Sequence, residues 1–154
     1  MRRLLYGGLV FLSGMVASPV SAPQTKETPA DYKADRRFKI LKAFFSKADC
    51  PARHYAQAFL EAADRYDLDW RLLPSLSFIE STGGKAARNN NLFGWDSGKA
   101  QFPTPTASIH AVGYRLANSS LYKDKDLDGL LNTYNPDVEY AQRVKSVMRQ
   151  IAPE

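Results

Sequence analysis

The chain has 154 residues, with 21 Lys plus Arg against 16 Asp plus Glu, 44% hydrophobic residues and 12% aromatics. That length suits one compact domain with its own core, and a charged fraction of 24% belongs neither to a disordered chain nor to a coiled coil. One cysteine, Cys50, and two histidines, His54 and His110, are too few for a disulfide framework, a structural zinc site or a strong case for a Cys/His nucleophile pair.

The N-terminus reads as an address. Met1-Arg2-Arg3 precedes a short apolar stretch, and Val20 and Ala22 stand in A-x-A-like spacing at its small-residue end, so 1–22 reads as a secretory signal. The alternative is an uncleaved anchor, for which the apolar stretch is short. Pro23 is an awkward neighbour for cleavage after Ala22, which leaves a cut after Ala17 open. Losing 1–22 removes only Arg2 and Arg3, and the remaining mild basic surplus suits an anionic envelope polymer. The basic residues are dispersed and carry no nucleic-acid motif, so nucleic acid is not an expected partner. The expected product is an exported monomer of the periplasm, cell envelope or extracellular space, with no membrane span.

Residues 23–35, rich in Pro, Thr, Lys, Ala and Asp, read as a tether, and 36–154 as one all-α domain with at most a small β-hairpin. In the first helix Phe38, Leu41 and Phe45 share a face. Asp49 or Cys50 caps a second helix, in which Tyr55, Phe59, Ala62 and Tyr66 repeat at helical spacing behind Pro51. Asp69 caps a third helix over 70–81, slightly bent by Pro74 and stopped by Gly83-Gly84. The segment 89–98 reads as loop with a short extended stretch. Thr104-Pro105-Thr106 opens a fourth helix carrying Ile109, Val112 and Leu116. A short helix follows 124–129, and Asp137 caps a last one with Tyr140, Val144, Val147 or Met148, and Ile151 inward.

Among five glutamates Glu80 stands apart. Leu76, Leu73 and Leu72 lie four, seven and eight residues before it, so it projects from the apolar face of the third helix, in its last turn. Partial burial and the helix dipole both disfavour the anion there. A carboxylic acid kept neutral can donate a proton to a glycosidic oxygen; the plainer alternative is a glutamate tying down the following loop. Gly83 and Gly84 leave backbone uncovered beside it, as the close approach of a ligand requires. Asn91, Phe93 and Trp95 alternate along the extended stretch, and amides with aromatic faces suit a sugar, although aromatics are more often core.

Leu68-Asp69-Trp70-Arg71-Leu72-Leu73-Pro74, Ile79-Glu80-Ser81-Thr82-Gly83-Gly84-Lys85, Asn90-Asn91-Leu92-Phe93-Gly94-Trp95 and Tyr134-Asn135-Pro136 with Tyr140-Ala141 together resemble the glucosaminidase family. That family comprises the autolysin glucosaminidases of glycoside hydrolase family 73 and the mannosyl-glycoprotein endo-β-N-acetylglucosaminidase-like domains. The resemblance covers about 67–151, and its most specific part is Glu-Ser-x-x-Gly-Lys followed closely by Asn-Asn-Leu-Phe-Gly. It implies a lysozyme-like helical fold, no cofactor or metal, and cleavage of β-1,4 bonds in N-acetylated glycans, chiefly peptidoglycan. On the matching positions it implies Glu80 as general acid with Tyr134 beside it, and Ser81, Asn91, Phe93, Gly94, Trp95 and Asn135 as substrate-binding. Two departures stand out. The segment 85–89 is short, and Tyr134-Asn135-Pro136 replaces the usual tyrosine-alanine-threonine, closer to lytic transglycosylases. Hydrolase and transglycosylase both stay open, as does a non-catalytic module that keeps the groove.

Cleavage needs a stabiliser besides the acid. Asp96 is one candidate, though Trp95-Asp96-Ser97-Gly98 also reads as a plain turn; the other is the substrate's own acetamido group, with Tyr134 as the catalytic residue that orients it. Asp124-x-Asp126-x-Asp128-Gly129 copies half of a calcium loop, but its twelfth position is Asn135, so the run is read as solvated linker and helix start.

Overall fold

The computed structural model describes residues 30–153; the expected signal, 1–22, and most of the expected tether lie outside them. Six α-helices follow in order: α1 (Arg36–Lys47), α2 (Ala56–Tyr66), α3 (Leu72–Ser81), α4 (Pro105–Asn118), α5 (Leu127–Tyr134) and α6 (Tyr140–Ile151). Single 3-10 turns at Tyr32–Ala34 and Pro51–Tyr55 precede α1 and α2. The fold is all-α. In place of a hairpin there is one isolated bridge, Arg88 to Asn91.

The helix α3 lies at the centre. Every residue from Leu72 to Ser77 is buried, so this helix has no solvent face over its first half. It packs chiefly on α6, while α2 packs chiefly on α4. Leu41 and Phe45 of α1, Phe59 of α2, Ile109 of α4 and Val144 of α6 are fully buried around it, each apolar side chain contributing about 1.5–3 kcal/mol. Among the described residues no helix is long and apolar enough to cross a membrane.

The start of α4 follows its sequence signal. Thr104 Oγ1 accepts from the Ala107 amide (3.0 Å) and fills an orphan donor of α4. The expected caps Asp69 and Asp137 instead bond the amides of Arg71 (2.8 Å) and Glu139 (3.0 Å) in the turns just before α3 and α6, whose own cap residues, Arg71 and Glu139, make no side-chain cap. Others differ. A 3-10 turn intervenes after Cys50, so the second helix begins at Ala56. Because α3 starts at Leu72, Pro74 sits in its first turn, where no intrahelical donor is needed and a bend has no cause. Asp126, inside the expected linker, caps α5 by accepting from Gly129 (2.8 Å), so that helix begins at Leu127.

The tether also ends sooner than its composition implies. Tyr32 is buried, with its hydroxyl donating to Asp64 of α2 (2.8 Å). Arg37 of α1 donates to Asp35 (2.8 Å) and to Asp64 (2.7 Å), so residues 32–35 before α1 belong to the folded body. The hydrogen bonds from Arg37 hold both carboxyls below the usual aspartate range. A carboxyl depressed in the folded state stabilises above its unfolded value, near 4, and that contribution is lost as pH falls through the folded value. Arg37→Met should therefore lower Tm at pH 7, with the gap to wild type closing as the buffer is taken below about pH 4. A gap that stays constant down to pH 2 would mean that Arg37 acts by packing alone.

Candidate active site

Emerging from the core at its C-terminal end, α3 carries Glu80 out half-buried, on the stripe of the fully packed Leu72, Leu73 and Leu76. Glu80 Oε1 accepts a hydrogen bond from the Tyr140 hydroxyl at 2.5 Å. Tyr140, the first residue of α6, is only 1% exposed. Burial, and after it the bond to Glu80, push its hydroxyl far above the ordinary tyrosine value, so it stays a donor. Glu80 Oε2 lies beside Gly94: a Cβ there would meet it at 3.3 Å, and φ is +59°. Gly94 is thus the glycine that lets backbone approach the carboxylate.

Gly83 and Gly84 do not have that role. A Cβ on Gly83 would lie 2.7 Å from Cys50 Cβ, and one on Gly84 would lie 3.1 Å from Leu92 Cδ2. Their bareness serves the core, through close packing of the helix end against the turn after α1.

The loop after α3 coils where an extended stretch was expected. Asn89, Asn90, Gly94, Asp96, Ser97 and Gly98 all have φ between +52° and +79°, which breaks the alternation of a strand. Asn91, 3% exposed, is its hub. Its Nδ2 donates to Trp95 O (2.9 Å) and Ala100 O (3.3 Å), while Oδ1 accepts from Trp95 N (2.9 Å). Ser81 is buried as well, its hydroxyl donating to Leu92 O (2.7 Å) and accepting from Gly84 N (3.0 Å). Asn91 and Ser81, expected as substrate-binding, border the hollow beside Glu80, but their polar atoms are bonded to backbone. Phe93 is corrected in part, since its ring is 1% exposed and packs as core.

What the loop builds is a cleft of about 420 Å³ lined by Glu80, Phe93, Gly94, Trp95, Asp96, Ser97, Tyr122, Tyr134 and Asn135. Beyond Glu80 and Gly94, which border both, it continues as a hollow of about 100 Å³ towards Arg88 and Gly98. Tyr134 stacks on Tyr140 (5.9 Å, 11°) and meets Trp95 edge-on (5.7 Å). Its hydroxyl donates to Phe93 O at 3.0 Å. Burial, and then Glu80 when it is ionised, push the Tyr134 hydroxyl far above its ordinary value. Tyr134 is therefore a neutral group that already gives its proton away and keeps its oxygen lone pairs for an incoming donor.

The structure thus gathers Glu80, Gly94, Trp95, Tyr134 and Asn135 at one cleft, with Phe93 contributing its carbonyl behind it. Asp96 is both things considered for it: an exposed turn residue and part of the cleft wall. Of the aspartates in the calcium-like run, Asp126 caps α5 and Asp128 pairs with Lys145 (2.6 Å). Tyr140 and Tyr122 were missed as site residues. For Tyr140 a signal existed, because a tyrosine on an otherwise Val/Met/Ile stripe needs a partner for its hydroxyl. Tyr122 has no such signal. Compared with known proteins, the chain matches no family model and no curated protein.

Replacing Asn91 with Ala leaves several backbone groups of the loop unpaired, each worth about 1–3 kcal/mol when buried. Asn91→Ala should lower Tm by several degrees, read by thermal denaturation. An unchanged Tm with weaker glycan binding would return Asn91 to the ligand.

Proposed function

We propose that this chain is an exported glycoside hydrolase of the glucosaminidase kind, with a lysozyme-like helical body, cleaving β-1,4 bonds in N-acetylglucosamine-containing glycans, with peptidoglycan as the expected polymer. The observation that carries the reading is Glu80 at the floor of an aromatic cleft. One of its oxygens is held by Tyr140. The other makes no hydrogen bond among the described residues and lies beside Gly94 in the cleft wall. Trp95, Tyr122 and Tyr134 offer ring surface for a sugar's apolar face, and a cleft that continues on both sides of Glu80 suits the interior of a chain.

In this mechanism the proton on Glu80 Oε2 passes to the glycosidic oxygen as the C1–O bond breaks. The substrate's own 2-acetamido oxygen closes onto C1, and its N–H donates to the free lone pair of Tyr134. Water then adds to C1 and gives its proton back to the Glu80 carboxylate, while the acetamido group is released unchanged. No metal or cofactor enters any step. Glu80 and Asp96 are the only carboxylates that line the cleft among the described residues, and Asp96 is held in an exposed turn at φ +54°. That single-acid arrangement also favours a second reading, a lytic transglycosylase, in which a hydroxyl of the sugar replaces the water. Anhydro ends instead of reducing ends on the products would mark it.

Glu80→Gln keeps the size and can still accept from Tyr140 through its amide oxygen, so Tm should hold. The rate of sacculus degradation should fall by about 10²–10⁴, the worth of general acid catalysis. Asp96→Asn, measured alongside, should keep a measurable fraction of activity. A Glu80→Gln protein that melts early yet still cleaves near the wild-type rate would remove Glu80 as the acid, and loss in Asp96→Asn equal to that in Glu80→Gln would make Asp96 the second catalytic group.

A further inference from the structure

Away from the cleft, α1 leaves a stripe without a partner. Ile40, Ala43, Phe44, Lys47 and Ala48 recur at i, i+3, i+4, i+7 and i+8, and together with Phe78 of α3 and Ile151 of α6 they line an open groove of about 660 Å³. Phe78 and Glu80 are two residues apart, about 200° around the helix, so this groove lies on the side of α3 opposite the acid. Phe44 and Phe78 meet at 5.2 Å and form its apolar floor.

The charge around it is mainly basic, the neighbouring Asp49 being paired with Arg53. Neither α1 nor α6 contains an acidic residue, while α1 alone carries five basic ones. Arg37 is paired with Asp35 and Asp64, but Arg36, Lys39 and Lys47 are exposed and make no ion pair among the described residues. Arg36 and Lys39 stand one turn before Ile40 and Ala43, so they lie at the N-terminal end of the stripe, while Lys47 lines its C-terminal part.

This charge decides between occupants. A second copy would bring the same basic face, and residues 23–29, which hold one basic and one acidic residue, offer no row of carboxylates, so neither complements it. A bilayer takes up protruding apolar side chains, and the large ones most exposed here, Tyr114, Leu121 and Val138, do not line this groove, which is recessed. An apolar ridge with carboxylates on its shoulders fits both features. We propose that the groove binds an acidic amphipathic helix of a partner protein, its apolar stripe seated on Phe44 and Phe78 and its carboxylates meeting Arg36, Lys39 and Lys47. The stripe from Ile40 to Ala48 is about 12 Å long, room for roughly two turns of such a helix.

The probe is a fluorescein-labelled synthetic peptide with leucines at i, i+3, i+4 and i+7 and glutamates on the flanks. Its isomer with lysine for glutamate, and vesicles of phosphatidylglycerol in phosphatidylcholine, are the comparisons. With the full chain, anisotropy should show the acidic peptide binding at micromolar concentration. Binding should weaken at least about tenfold in the exposed double variant Lys39→Glu/Lys47→Glu, and also when salt is raised to about 0.5 M. Wild-type glycan cleavage in the double variant would show that it is folded. No binding of the acidic peptide, equal binding of the lysine isomer, indifference to the double variant, or tighter binding to the vesicles than to the peptide would each overturn the proposal.

Discussion

The organisation of this protein depends on one constraint: α3 begins as a helix with no polar side it can give to water. Leu72 to Ser77 are buried all round, and the other elements are arranged as its cover. Its buried serines are not matched evenly. Ser77 donates to Pro74 O (2.9 Å) and Ser81 ties the helix end to the next loop, whereas the Ser75 hydroxyl finds no partner among the described residues. Only the last turn reaches the surface, and the carboxylate it carries there is Glu80. The same burial that makes the core thereby delivers a single acid, on a rigid element, to one place.

Two further devices hold that acid. From the far end of the chain, α6 supplies Tyr140, whose hydroxyl fixes one carboxylate oxygen. From the intervening loop, Asn91 gathers the backbone of Trp95 and Ala100 and so places Gly94 against the other oxygen. Tyr134 links the two, stacked on Tyr140 and bonded to the carbonyl of Phe93. Asn91, which looks on paper like a ligand for a sugar, is also the framework that shapes the cleft. Supporting groups of this kind keep the Glu80 carboxyl in a fixed geometry.

Much of the fold was legible because helices advertise themselves through periodicity and caps. Phe59 and Ala62, Ile109 and Val112, and Val144 and Ile151 are buried as their spacing requires, and Thr104 caps α4 where the sequence put it. Glu80 was legible for the same reason, since three leucines on its stripe fix the direction in which it points. The loop 88–103 was not. Its conformation is set by one amide bonding backbone several residues away and by a run of positive φ, and neither leaves a periodic trace. Tyr140 was legible as a core residue but not as the partner of an acid 60 residues earlier, because only the packing of α6 on α3 brings them together. The end of the tether was misjudged for a related reason: Tyr32 and Arg37 are fixed by Asp64, which lies beyond any local pattern.

The two faces of α3 divide the molecule's surface between two kinds of chemistry, an aromatic cleft with an acid on one side and a basic, apolar groove on the other. The reading of the first rests on whether Glu80, held by Tyr140, transfers a proton to a glycosidic oxygen. The most direct measurement is mass spectrometry of the soluble products from purified peptidoglycan sacculi incubated with the protein. Glycan fragments ending in reducing N-acetylglucosamine are the predicted result. Protein that binds the sacculi and releases no soluble fragment over a broad pH range would contradict it, and would leave the cleft as a binding site alone.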